Sequence, residues 1–111
     1  MLTLNSDEQV WLEQYRSVLD ERYPDLVRDI IVFGSKARGD ARNDSDLDIL
    51  LVIKEGDWRL KDQLAGIGDH LAIGSDCVPS IIVLTDEEKE KKMERQSSFL
   101  ETVDKEGISI R

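Results

Sequence analysis

The stretch IIVFGSKARGDARNDSDLDILLVI, residues 30–53, decides the fold, because two apolar runs enclose a polar segment that opens on Gly34-Ser35. Residues 27–33 read as a strand, and residues 30–33 form the unbroken apolar run expected of a strand buried on both faces. Gly34-Ser35 breaks that strand. Residues 36–38 fit a short helical turn closed by Gly39. Residues 40–45 are polar and turn-like, and residues 47–53 make a second strong strand that ends before Gly56.

Upstream of this stretch, Ser6 with Gln9 three residues later reads as a capping box. Asp7 and Glu8 suit the positive end of the helix dipole there. Trp11, Tyr15, Val18, Leu19 and Arg22 then follow helical spacing until Pro24 stops the helix. Downstream, Asp57 caps a third helix reaching residue 73, with Leu60, Leu64, Ile67 and Leu71 on one face and Gly74 at its end. Residues 80–84, after Pro79, read as a third strand. Thr85 with Glu88 opens a charged helix that Gln96 interrupts. Ser98 with Glu101 opens a last helix to Glu106, Gly107 ends it, and residues 108–110 add an edge strand. Strands alternating with helices indicate an α/β or α+β domain whose helices pack on a small sheet. At 111 residues, one such domain over 1–111 is the expectation.

The charge balance narrows the function classes. With 24 Asp and Glu against 15 Lys and Arg, the net charge is −9. A field of that sign repels phosphate backbones and disfavours generic nucleic-acid binding, whereas a basic protein partner suits it. Cys77 is the single cysteine, read as a packed core thiol in a reducing compartment. The N-terminus lacks the basic and apolar regions of a signal peptide. The longest apolar run, residues 49–53, is far short of a membrane span. A cytoplasmic globular protein with no membrane segment is the expectation.

An anion therefore needs a local device. A strand that ends in Gly34-Ser35 and turns directly into a helix presents unpaired backbone N–H groups, which bind phosphate. The Ser35 hydroxyl is a further donor, and Lys36, Arg38 and Arg42 make this segment locally basic. Asp40-Ala41 stands where a Walker A loop has Lys and Ser or Thr, so that motif is absent. Taken alone, Gly-Ser reads first as a tight turn. Asp46 and Asp48 change that reading. Two residues apart at a strand mouth, their Cα atoms lie roughly 6.6–6.8 Å apart with carboxylates on one face. Such a pair repels unless a cation sits between, and Mg²⁺ favours one or two carboxylates with water and phosphate oxygens.

Gly34-Ser35, Ala37-Arg38-Gly39 and Ser45-Asp46-Leu47-Asp48, at this spacing, resemble the minimal MNT-type nucleotidyltransferases of the DNA polymerase β superfamily. The likeness extends more weakly to the tail, Leu84-Thr85 with an acidic helix and the terminal Gly107-Ile-x-Ile110. It implies a small mixed sheet flanked by helices, and Mg²⁺-dependent transfer of AMP or another NMP from an NTP to an acceptor hydroxyl. Many small members are antitoxins paired with a HEPN-domain toxin. By the same resemblance, Gly34, Ser35, Lys36 and Arg38 bind the nucleotide, and Asp46 and Asp48 are the catalytic metal ligands.

One position departs from the family pattern. Its third carboxylate begins the next core strand, where this chain has Ser80. A serine hydroxyl is a poor Mg²⁺ ligand and no useful base near neutral pH. A catalytically impaired nucleotide-binding antitoxin, acting by protein contact, is thus the alternative to an active enzyme. Asp76 lies four residues earlier and is the weaker substitute; Asp86 reads as a helix-start residue. His70 reads as an exposed helix residue, Trp58 as packing on the third helix, and residues 87–95 as a solvated helix face.

Overall fold

A computed structural model describes residues 2–39 and 46–110. The expected turn over residues 40–45, with Arg42 and Ser45, lies outside the described residues. Strands β1 (Val27–Phe33), β2 (Leu47–Ile53), β3 (Pro79–Thr85) and β4 (Ile108–Ser109) alternate with helices α1 (Ser6–Arg22), α2 (Ser35–Arg38), α3 (Trp58–Leu71), α4 (Asp86–Glu94) and α5 (Ser98–Glu106). The strands form one mixed sheet in the order β3-β2-β1-β4. β2 runs antiparallel to β1 and parallel to β3, with α3 as the crossover that a parallel pair requires. β4 pairs antiparallel with the other side of β1.

The unbroken apolar run of β2 is explained by burial on both faces. Leu47, Ile49, Leu51 and Ile53 join Trp11, Tyr15 and Leu19 of α1 and Leu64 of α3 in one cluster. Leu50 and Val52 point the other way, onto Leu100 and Val103 of α5. Asp48 follows the parity of Leu50 and Val52, so it lies on the α5 face at the strand's mouth. The first layer is keyed by polar contacts: Trp11 Nε1 donates to the Gly68 carbonyl and Tyr15 Oη to that of Leu64, each at 2.8 Å. Buried aromatics with satisfied polar tips fix how α1 sits on α3. Gly68 permits that approach, since a Cβ there would lie 3.1 Å from Trp11 and 3.2 Å from Tyr15.

Several local expectations shift. α1 is capped by Asn5 rather than Ser6: Asn5 Oδ1 accepts the Glu8 N–H at 2.8 Å, and Glu8 Oε1 accepts the Asn5 N–H at 3.0 Å. α5 is capped by Ser97 rather than Ser98, through the Leu100 N–H. In both helices tertiary packing chose between adjacent cap formers. It needed Glu8 turned inward at one, and Leu100 and Val103 turned onto the sheet at the other. Trp58 does not pack under α3; it is exposed, with the Arg59 guanidinium carbon 5.4 Å from its ring centre. The Thr85–Glu88 capping box is present, and Cys77 is a buried thiol whose pKa burial pushes up to about 11. Among the described residues, no helix is long and apolar enough to cross a membrane.

Candidate active site

β1 ends at Phe33, and Gly34 turns the chain into α2 with φ +76° and ψ −155°, a conformation closed to other residues without strain. The same position lies against Asp48. A Cβ on Gly34 would meet Asp48 Oδ2 at 2.3 Å, so the missing side chain leaves the room that this carboxylate occupies. The sheet register supplies the proximity, because Asp48 pairs across with Phe33 on one side and with Ser80 on the other. Ser80 therefore stands laterally beside Asp48, on the same face of the sheet.

The electrostatics of this corner are unbalanced. Burial first, then the nearby charge of Asp46, pushes the Asp48 carboxyl above the ordinary aspartate range; Arg38 pulls it down and Glu106 pushes it further up. Asp46 is exposed at the strand's entry, two residues before Asp48. Among the described residues, no group of three or more His, Cys, Asp and Glu side chains is arranged to hold an ion alone. Asp46 and Asp48 are the carboxylates that could hold a divalent cation, whose charge would offset the repulsion that adds to burial in raising Asp48, with water and phosphate as its remaining ligands.

Of the residues singled out in the sequence, Gly34, Arg38, Asp46 and Asp48 come together here, with Ser35 at the start of α2. The Lys36 side chain does not join them. It is 4% exposed, and its ammonium lies 3.1 Å from Glu8 Oε2 on α1. A helical residue two positions from Arg38 points to nearly the opposite side, and that side is the core. Asp76 is exposed, and its N–H donates to Asp7 on α1, in the layer across the sheet from Asp48. Asp86 pairs with Arg28 at 2.8 Å at the start of α4.

One residue of the site escaped the sequence reading. Glu106, the last residue of α5, accepts the Gly34 N–H at 3.2 Å and Arg38 Nη1 at 2.9 and 3.0 Å. The signal lies in β4. Pairing of Val32 with Ile108 and of Ile31 with Ser109 extrapolates, one step at a time, to Gly34 opposite Glu106.

Comparison with known proteins bears on what such a corner belongs to. A nucleotidyltransferase domain family model matches residues 12–106. The chain belongs to this family. A protein adenylyltransferase MntA of Thermococcus cleftensis is 47% identical over 55 residues, covering 50% of this chain and 52% of the relative. The chain thus matches about half the length of that relative. A Methanocaldococcus jannaschii protein, provisionally named a protein adenylyltransferase, is 25% identical over 100 residues, covering 89% of this nucleotidyltransferase-family chain and 94% of the relative. Among solved structures, a chain of a toxin–antitoxin complex crystallised with AMP-PNP superposes with a TM-score of 0.60 at 20% identity, covering 96% of this chain and 73% of that one. A chain of the MntA–HepT toxin–antitoxin complex gives 0.54 at 20% identity, covering 93% and 71%. These structural likenesses show the nucleotidyltransferase-like fold, a small mixed sheet with flanking helices.

Proposed function

We propose that this chain is a Mg²⁺-dependent protein adenylyltransferase that moves AMP from ATP to a hydroxyl of a HEPN-type toxin, whose antitoxin it is. The observation that carries the reading is the Asp48 carboxylate seated on the Gly34 backbone, with the charges of Asp46 and Arg38 beside it. The family supports the reaction class, and the adenylyltransferase relatives and toxin–antitoxin neighbours support the nucleotide and the partner.

In this reading residues 1–111 act as one catalytic unit. The acceptor hydroxyl oxygen attacks the α-phosphorus and gives up its proton to solvent, the bond from the α-phosphorus to the α,β-bridging oxygen breaks, and pyrophosphate leaves. Bound Mg²⁺ supplies charge neutralisation along the triphosphate. The chain's own groups orient the substrate. Gly34 lets phosphate approach the backbone, Ser35 and the α2 amides donate to it, and Arg38 offsets its charge. Lys36 contributes its amide and not its ammonium, which is committed to Glu8. The test is incubation with labelled ATP, Mg²⁺ and the product of a neighbouring gene. Label on that protein, lost with Asp46→Asn and Asp48→Asn, is expected; binding of the nucleotide without transfer to any acceptor sinks the enzymatic reading.

Ser80 favours a second reading, in which the protein binds nucleotide but neutralises its partner by contact. It sits in register beside Asp48 and offers no carboxylate. If position 80 is where the missing group belongs, Ser80→Asp raises transfer by roughly 10²–10⁴-fold, the usual worth of a general base, with partner binding unchanged. Equal transfer by both proteins removes Ser80 from the argument.

A further inference from the structure

The anion donors of the site already hold an anion. Glu106 Oε1 accepts both the Gly34 N–H and an Arg38 guanidinium N–H, and Oε2 accepts from Arg38 as well. Arg38 is the cation that the adenylyltransferase reading gives to phosphate, and Gly34 is the backbone that phosphate approaches; carboxylate and phosphate oxygens satisfy a guanidinium by the same chemistry. We infer that Glu106 is an internal competitor for the nucleotide: its carboxylate plugs the phosphate cradle in the free protein and must swing out when the triphosphate enters. The inference rests on the nucleotide reading above and assigns that site its regulation.

The geometry separates this role from two others. Glu106 does not stand in for the missing third carboxylate. Ser80 is on β3, on one side of Asp48, and Glu106 meets Gly34 past the end of β1, on the other side. Nor does the plug require α5 to unfold. Gly107 anchors the helix end, donating its N–H to the Val103 carbonyl at 2.7 Å, with room for no Cβ against Val103 O or Ile31 Cγ2. The backbone stays, and the Glu106 side chain, 17% exposed, leaves by rotation about its own torsions. Its charge also acts against Asp48, so the closed corner is crowded with like charge. Withdrawal of the carboxylate as triphosphate arrives exchanges one anion for another on Arg38.

A structural brace for Arg38 and a competitor predict opposite signs. Titration calorimetry of the full chain with Mg²⁺ and a non-hydrolysable ATP analogue, wild type against Glu106→Gln, separates them. Removing the competing charge is expected to tighten binding roughly tenfold, which corresponds to about 1.4 kcal/mol. Unchanged or weaker binding by the variant, while wild type binds, overturns the inference and leaves the nucleotide reading intact. Binding by neither protein removes the nucleotide reading and the inference with it. Where Glu106→Gln fails to fold, the Gly34 amide resonance of the unmodified protein decides. It must shift when Mg²⁺ and the analogue saturate the site, and a resonance unmoved at saturation overturns the plug.

Discussion

Two ion pairs flank the four-residue helix α2, and they are built for different work. On one side Lys36 meets Glu8 of α1 with side chains 5% and 2% exposed; on the other Arg38 meets Glu106 of α5 with side chains 45% and 17% exposed. The first is dry, and a second bond from the Asn5 N–H holds its carboxylate in place. The second is wet and shares its carboxylate with Gly34. Residues that look like one basic patch in sequence thus divide into a tether and a site. The tether steadies the turn after β1 against α1, and the Thr3 N–H adds a bond of 2.9 Å to the Lys36 carbonyl. The other side keeps a cation at the surface, where ligands can exchange on it.

The sharpest way to break this comparison is to remove each cation in turn. Lys36→Met strands the Glu8 charge in the core and is expected to cost about 3–5 kcal/mol of stability, the usual loss when a buried pair loses one partner. Combining it with Glu8→Gln recovers part of that loss, because the amide oxygen still accepts the Asn5 N–H. Arg38→Met breaks an exposed pair and is expected to cost about 0–1 kcal/mol in chemical denaturation. On the proposed function its effect is expected on the ligand instead, with loss of a charge-assisted contact to phosphate weakening Mg·ATP binding by roughly 10–100-fold. Equal denaturation midpoints for the two single variants would erase the distinction.

A smaller effect sharpens it at the turn itself. Gly34 and Gly74 both hold positive φ, +76° and +82°, but a Cβ at Gly34 strikes the Asp48 carboxylate and one at Gly74 meets open space. Both alanine substitutions are expected to lose about 1–3 kcal/mol to backbone strain. Gly34→Ala alone is also expected to weaken nucleotide binding, read by calorimetry beside the Gly74→Ala control. Similar affinities in the two variants would mean that the contact between Gly34 and Asp48 plays no part in the site.

What could be read in advance followed the range of the interaction. The three core strands, α2 with its Gly39 end, α3 and the Thr85 box rest on local spacing, and they stand within two residues of the expectation. The caps of α1 and α5 slipped by one because Asn5 and Ser6, like Ser97 and Ser98, are equal as local cap formers. Packing far along the chain decides between them. The inward turn of the Lys36 side chain and the exposure of Trp58 have the same cause: which face of a short helix is covered depends on α1, and which end of α3 is covered depends on the sheet. Glu106 is the extreme case, lying 72 residues from the amide it binds, with β4 pairing as the link.

The smallest effect separates Asp48 from the pairs around it, because its carboxyl is held above the ordinary aspartate value of about 3.9. A carboxyl raised in the folded state binds its proton more readily there than in the unfolded chain. Folding is therefore favoured most while the group is protonated. Stability falls as pH rises from the unfolded value through the raised one, and the deficit persists above it. Asparagine carries no charge to bury beside Asp46, so Asp48→Asn is expected to melt slightly above wild type at pH 7 without metal. The gap closes as the pH drops towards the unfolded value. Added Mg²⁺ should raise the wild type and leave the variant where it is. A variant that melts below wild type at pH 7 would show that the Asp48 carboxylate stabilises the free protein, and would remove the physical ground for reading it as a ligand awaiting a cation.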